Sequence, residues 1–82
     1  MTRDLKKLRK ELDEHIYEID AVLKNNTIRI TLNGEPGFEH DNCFSMECMA
    51  LIIEIAQAHN ARVLFDGYIN KIGNACPRIL VY

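Results

Sequence analysis

The chain has 82 residues, 48% of them hydrophobic and 27% charged, and a formal net charge of −2 at pH 7. This composition predicts one small globular domain over residues 1–82 and excludes a disordered chain. The weak acidity gives no overall attraction to nucleic acid or to an anionic membrane. No apolar run reaches the roughly 20 residues that span a bilayer, and no secretory signal is evident. The three cysteines lack a framework spacing, which predicts free thiols and a cytoplasmic location.

The first half of the chain predicts one long helix followed by a strand. Apolar residues recur at steps of three and four over residues 4–24, which is the spacing of an amphipathic helix: Leu5, Leu8, Leu12, Ile16, Ile19 and Leu23. Asn25-Asn26 ends this helix, because Asn tolerates the left-handed conformation of a helix end. Residues 27–33 alternate apolar and polar side chains, which predicts a half-buried strand with one face in water.

A loop over residues 33–42 separates this strand from a second helix over residues 45–59. Ser45 is a suitable N-cap for the helix and Asn60 a suitable end. The sequence between them is apolar almost all round, which predicts burial on more than one side.

The last part of the chain predicts two or three short strands. Asp66-Gly67 is the strongest hairpin signal, joining strands over residues 62–65 and 68–72, and Gly73-Asn74 predicts another turn. The final strand covers residues 77–82, with Pro77 at its start. The expected fold is therefore a two-layer α/β (α+β) sandwich of order α-β-α-β-β(-β), with both helices on one face of a small mixed sheet. Its strand–helix–strand unit implies parallel neighbours joined by a right-handed crossover.

The first helix has basic residues at its front and acidic residues at its back, the reverse of what the helix dipole favours. We interpret this segregated charge as a binding surface for a protein partner. Its candidate contacts are Lys6, Lys7, Lys10, Glu11, Glu14 and Glu18. The alternative is a pair of ordinary solvated faces, with the apolar stripe packing on the domain itself.

A second candidate surface is the exposed face of the sheet, where basic and aromatic residues interleave. Arginine meets phosphates and aromatic rings stack on bases, so this pattern is typical of single-stranded RNA binding. The residues are Arg29, Arg62, Tyr68, Lys71, Arg78 and Tyr82. The acidic net charge argues against strong binding of nucleic acid.

The chain shows no strong signature of catalysis, metal binding or a cofactor. His40, Cys43 and Cys48 lack the two close ligand pairs of a structural zinc site. The carboxylates near Cys43 would raise the pKa of its thiol and oppose its use as a nucleophile. The same loop, residues 35–41, lacks the regular spacing of a calcium site. We therefore predict no catalytic residue, no metal and no cofactor.

These observations favour a small non-catalytic protein-binding module, such as an accessory subunit or a phage-type inhibitor of a larger assembly. The alternatives are a small RNA-binding domain that uses the sheet face and a small oligomeric enzyme with its site at a subunit interface. A chain this short has a marginal core, so we also expect a homodimer.

Overall fold

The computed structural model describes residues 4–32, 44–69, 71, 73 and 75–82. Within these ranges the chain forms α1 (Leu5–His15), β1 (Ile19–Lys24), β2 (Thr27–Leu32), α2 (Met46–Ala58), β3 (Val63–Ile69) and β4 (Ala75–Val81). The strands make one sheet of spatial order β1-β2-β4-β3, and each neighbouring pair is antiparallel. The predicted α+β class is confirmed, while several element bounds and the pairing directions differ from expectation.

Helix α1 is about half as long as the sequence predicted. It begins after Asp4, whose carboxylate accepts a hydrogen bond from the Lys7 N–H at 3.1 Å and so caps the first turn. It ends at His15, because Ile16 takes an extended conformation. The prediction of a continuous helix through residue 24 is wrong.

The segment after this helix forms a strand. The spacing of its apolar side chains is compatible with a helix and with a strand, and pairing with β2 selects the strand. Ile19, Ala21 and Leu23 alternate along the chain, so in a strand all three lie on one face. Asn25 and Asn26 both have positive φ, 54° and 59°, as a two-residue turn of type I′ requires. This turn pairs all six residues of β1 with β2, and those backbone pairs would be lost if the helix continued.

Helix α2 lies close to its predicted bounds. The Ser45 hydroxyl accepts a hydrogen bond from the Cys48 N–H at 3.0 Å, and Asn60 just beyond the helix has a φ of 57°. Its buried side chains form a single stripe, Cys48, Ile52 and Ala56. Away from this stripe Met46 and Leu51 are exposed, so the expected burial on more than one side is not found.

The predicted hairpin at Asp66-Gly67 is wrong, because β3 runs straight through both residues. Its seven residues pair one for one with β4, so the long partner strand favours the extended form over a turn. The chain turns later, near Gly73, which has a φ of 89°. Pro77 lies inside β4 rather than at its start. Its missing N–H is tolerated there because pairing of β4 with β2 stops at Ile79.

The expected parallel crossover is also absent from the described sheet. Strand β4 lies between β2 and β3, so the two strands that flank α2 in sequence are not neighbours. Both helices lie on one face of the sheet, as predicted. The core combines both helices with the inward side chains of three strands: Leu8, Leu12, Ile16, Ile19, Ala21, Ile28, Ile30, Cys48, Ile52, Ala56, Ile79 and Val81.

Two polar contacts fix α1 in this arrangement. Arg9 Nε donates a hydrogen bond to the Ala21 carbonyl oxygen on β1 at 2.9 Å. His59 Nε2 lies 2.8 Å from Glu11 Oε2 and so links the two helices. The hydrogen bond from His59 lowers the pKa of Glu11 from its ordinary value.

Candidate binding surface on the helix-free face of the sheet

The face of the sheet opposite the helices is defined by strand alternation. Because Ile28, Ile30, Ile79 and Val81 point to the helices, their neighbours along each strand point the other way. Directly paired residues share a face, so the strand registers extend this assignment to β1 and β3. We call this surface the open face. Its members are Asp20, Val22, Lys24, Thr27, Arg29, Thr31, Arg62, Leu64, Asp66, Tyr68, Cys76, Arg78, Leu80 and Tyr82.

A row of four side chains, apolar except for Arg29, crosses the middle of the open face. Val22 pairs with Arg29, Arg29 with Leu80, and Leu80 with Leu64, so the four side chains lie in line across the strands. At about 4.8 Å per strand the row is roughly 14 Å long. Val22 is 56% exposed and Leu64 48% exposed. Apolar surface therefore remains in contact with water at both ends of the row.

A charged cluster lies next to this row on β3 and β4. Arg78 Nη2 donates to Asp66 Oδ2 at 2.6 Å, and the Arg78 guanidinium lies over the ring of Tyr68, 5.9 Å from its centre. Asp66 Oδ1 also accepts a hydrogen bond from the Gly67 N–H at 2.5 Å. The contact with Arg78, and then the one with Gly67, lower the pKa of Asp66. A carboxylate held ionised in this way is unsuited to donating or accepting protons near neutral pH.

The other end of the open face carries an aromatic and a basic residue. Arg62 and Tyr82 exchange two backbone hydrogen bonds, of 2.6 and 3.0 Å, and continue the pairing of β3 with β4. Tyr82 is 38% exposed, and Arg62 is exposed beside it. Lys24 lies on the same face at the end of β1. Tyrosine and arginine are enriched in protein interfaces, so these residues suit the edge of a binding surface.

The residues predicted for nucleic-acid binding come together here. Five of them lie on the open face, Arg29, Arg62, Tyr68, Arg78 and Tyr82. Two features limit their use for RNA. The guanidinium of Arg78 is committed to Asp66, and the middle row of the face contains no aromatic ring, whereas bases stack on aromatic rings. Lys71 is exposed between β3 and β4.

The residues predicted for partner binding on the first helix are separated by the structure. Lys6, Lys7, Lys10 and Glu14 are exposed on α1, on the far side of the molecule from the open face. Glu11 is bound to His59. Glu18 is not on the helix at all: it precedes β1, and its carboxylate helps burial to raise the pKa of the Cys48 thiol. The basic and acidic halves therefore do not form one continuous charged helix.

The other candidates for chemistry gain no support from the described residues. His40, Cys43 and the carboxylates of residues 35–41 lie outside the described ranges. Across the ranges that are described, no three His, Cys, Asp or Glu side chains come together in a group that could hold a metal ion. Nor is any helix in them long and apolar enough to cross a membrane.

An open groove of about 550 Å³ lies between the start of α1 and the β1–β2 turn. Its lining is mixed, Asp4, Leu5, Lys6, Leu23, Lys24, Asn25 and Asn26. The Asp4 carboxylate in this lining caps α1, and Lys6 and Lys24 contribute two basic side chains to the groove.

Comparison of the chain with models of known protein families, with curated proteins and with solved structures gives no match.

Sequence reasoning missed the apolar part of the open face. Helical spacing places Val22 in a helix, and the hairpin signal at Asp66-Gly67 divides the strand that contains Leu64. For Val22, the signal is the alternation of the apolar residues Ile19, Ala21 and Leu23, which predicts a half-buried strand as well as a helix. In the structure Ile19 and Ala21 are buried, while Asp20 and Val22 are exposed.

Proposed function

We propose that this protein is a non-catalytic protein-binding module that uses the open face of its sheet. The observation that carries the proposal is the exposed apolar row, with Val22 and Leu64 each about half in water on the face opposite both helices. Arg29 within the row, and Tyr82 and Arg62 at the end of the face, supply the polar and aromatic contacts common in interfaces. An accessory subunit or an inhibitor in the cytoplasm fits such a surface, and the buried, reduced thiol of Cys48 agrees with that location.

The proposed binding surface is therefore the open face of the sheet, and not the charged residues of the first helix that the sequence predicted. The lysines of α1 then act at long range, because exposed charges change the encounter rate and its salt dependence more than the affinity. Reversing the charge of Lys6, Lys7 and Lys10 together is expected to slow association at low salt and to leave the fold intact.

Binding of single-stranded RNA is the second candidate, because the open face also groups Arg29, Arg62 and Tyr82. Protein binding is favoured because the middle row contains three aliphatic side chains, Val22, Leu80 and Leu64, and no aromatic ring on which a base could stack. The third interpretation, an enzyme with a site at a subunit interface, is less favoured because the His59–Glu11 pair that the structure describes links the two helices and does not line the groove beside α1.

The test places a photo-crosslinking amino acid at Leu64 in the native cell, with the same group at Tyr17 as the control. Tyr17 is 88% exposed but lies between α1 and β1, away from the open face. We expect a discrete protein adduct from position 64 and none from position 17. A Val22→Asp change should abolish the adduct. Adducts to RNA would support the second candidate, and adducts from position 17 alone would refute the open face.

A further inference from the structure

The two edge strands of the described sheet each carry one charged side chain against their outer backbone. On β1, Arg9 Nε donates to the Ala21 carbonyl. On β3, Asp66 Oδ1 accepts from the Gly67 N–H. An edge strand presents unpaired N–H and C=O groups that can pair with another chain. Each side chain therefore occupies one group that an incoming strand would need.

The backbone groups on the outer side of β3 follow from its pairing with β4. Arg62 and Tyr82 exchange both of their hydrogen bonds, and in an antiparallel pair such residues alternate with residues that point outward. The N–H and C=O groups on the outer edge therefore belong to Val63, Phe65, Gly67 and Ile69. Phe65 is 53% exposed and Ile69 68% exposed, so this edge is apolar as well as unpaired within the described residues.

We propose that the outer edge of β3 is a strand-addition surface for a second copy of this chain, and that Asp66 holds it closed. If two copies of β3 pair antiparallel about Asp66, Val63 faces Ile69 of the second copy and Leu64 faces its Tyr68. Phe65 faces Gly67 of the second copy, where the missing side chain leaves room for the ring. Apart from Asp66 at the centre, charged side chains are absent from these pairs, and the two sheets become one.

Asp66 is the single mismatch in this arrangement, because it faces Asp66 of the second copy across the symmetry axis. Like charges directly opposite each other destabilise a strand pair. The carboxylate also occupies the Gly67 N–H, which would otherwise donate to Phe65 of the second copy. Arg78 holds the carboxylate in this position at 2.6 Å. Charge at the centre of an edge strand is a common protection against strand pairing.

The size of the contact explains why one residue can control it. One added strand pair of seven residues buries less than the roughly 800 Å² per partner of a standard interface. The association is therefore weak, and a contact at its centre decides whether it forms. This inference concerns the edge of the sheet and does not depend on the proposed use of the open face.

Sedimentation equilibrium of the purified chain tests the inference with two changes at one position. Asp66→Asn removes the charge, and Asp66→Ala removes both the charge and the hydrogen bond to Gly67. We expect the dimer dissociation constant to fall at least about tenfold in Asp66→Asn and further in Asp66→Ala. Arg9→Ala is the matched control, because it uncovers the other edge, and it should leave this dimer unchanged. Val22→Asp should leave it unchanged too, which separates this result from a failure of the proposed function.

Amide hydrogen exchange locates the contact without a further substitution. Protection of the Phe65 and Ile69 amides should rise with concentration in Asp66→Asn, and at millimolar concentration in the unmodified chain. The Ala21 amide on the other edge should not change. Unaltered association in both Asp66 variants, an equal effect of Arg9→Ala, or a dimer without new protection at Phe65 and Ile69 would each overturn the inference.

Discussion

Replacement of Leu12 by Ala tests the central feature of the fold, the short helix packed on a sheet. Leu12 is fully buried in the core that joins α1 to the strands. Truncation of such a leucine costs about 2–5 kcal/mol, from lost transfer energy and the cavity that remains. A domain of this size has a total stability of about 4–12 kcal/mol. We therefore expect a large loss, with a fall in Tm of at least about 8 °C.

Val22→Ala is the matched comparison, because helical spacing placed both residues in one helix. Val22 is 56% exposed on a strand, so its truncation should cost less than about 1 kcal/mol. Urea unfolding followed by circular dichroism measures both free energies. A cost below about 1 kcal/mol at Leu12, or equal costs at the two positions, would refute the division of this segment into α1 and β1.

Three further measurements test local features. Asn26→Ala should lower the Tm by more than Asn26→Gly, because a φ of 59° costs Ala roughly 1–2 kcal/mol and Gly almost nothing; equal melting curves would exclude the type I′ turn. The pKa of Glu11 is lowered by His59, so the stability that this contact adds is present above the ordinary value of 4.5 and is lost as the pH falls through the lowered value. Glu11→Gln should accordingly be less stable than the unmodified chain at pH 6 and equally stable in acid, as measured by urea unfolding at both pH values. Burial and Glu18 raise the pKa of the Cys48 thiol, so alkylation at Cys48 should be far slower in the native protein than in urea; similar rates would show that the thiol is accessible.

Local sequence signals determined the elements in which every cue agreed. Ser45 and Asn60 mark the ends of α2. The Ser45 side chain caps the first turn, and Asn60 takes the left-handed backbone conformation just beyond the last turn. The alternation over residues 27–33 predicted β2 to within one residue. The wide apolar stripes of the helices and the one-sided alternation of β2 together implied a two-layer α+β fold with both helices on one side. These features depend on contacts between residues a few positions apart, so the sequence alone contains them.

Tertiary structure decided the elements in which local cues were compatible with two answers. Residues 19–24 satisfy a helical period and a strand period at once, and pairing with β2 selects the strand. Asp66-Gly67 suits a tight turn and also tolerates a strand, and the seven-residue length of β4 selects the strand. The open face and the outer edge of β3 exist only as a result of these two choices. The physical reason is that backbone hydrogen bonds in a sheet join distant segments, so their free energy is absent from any local pattern.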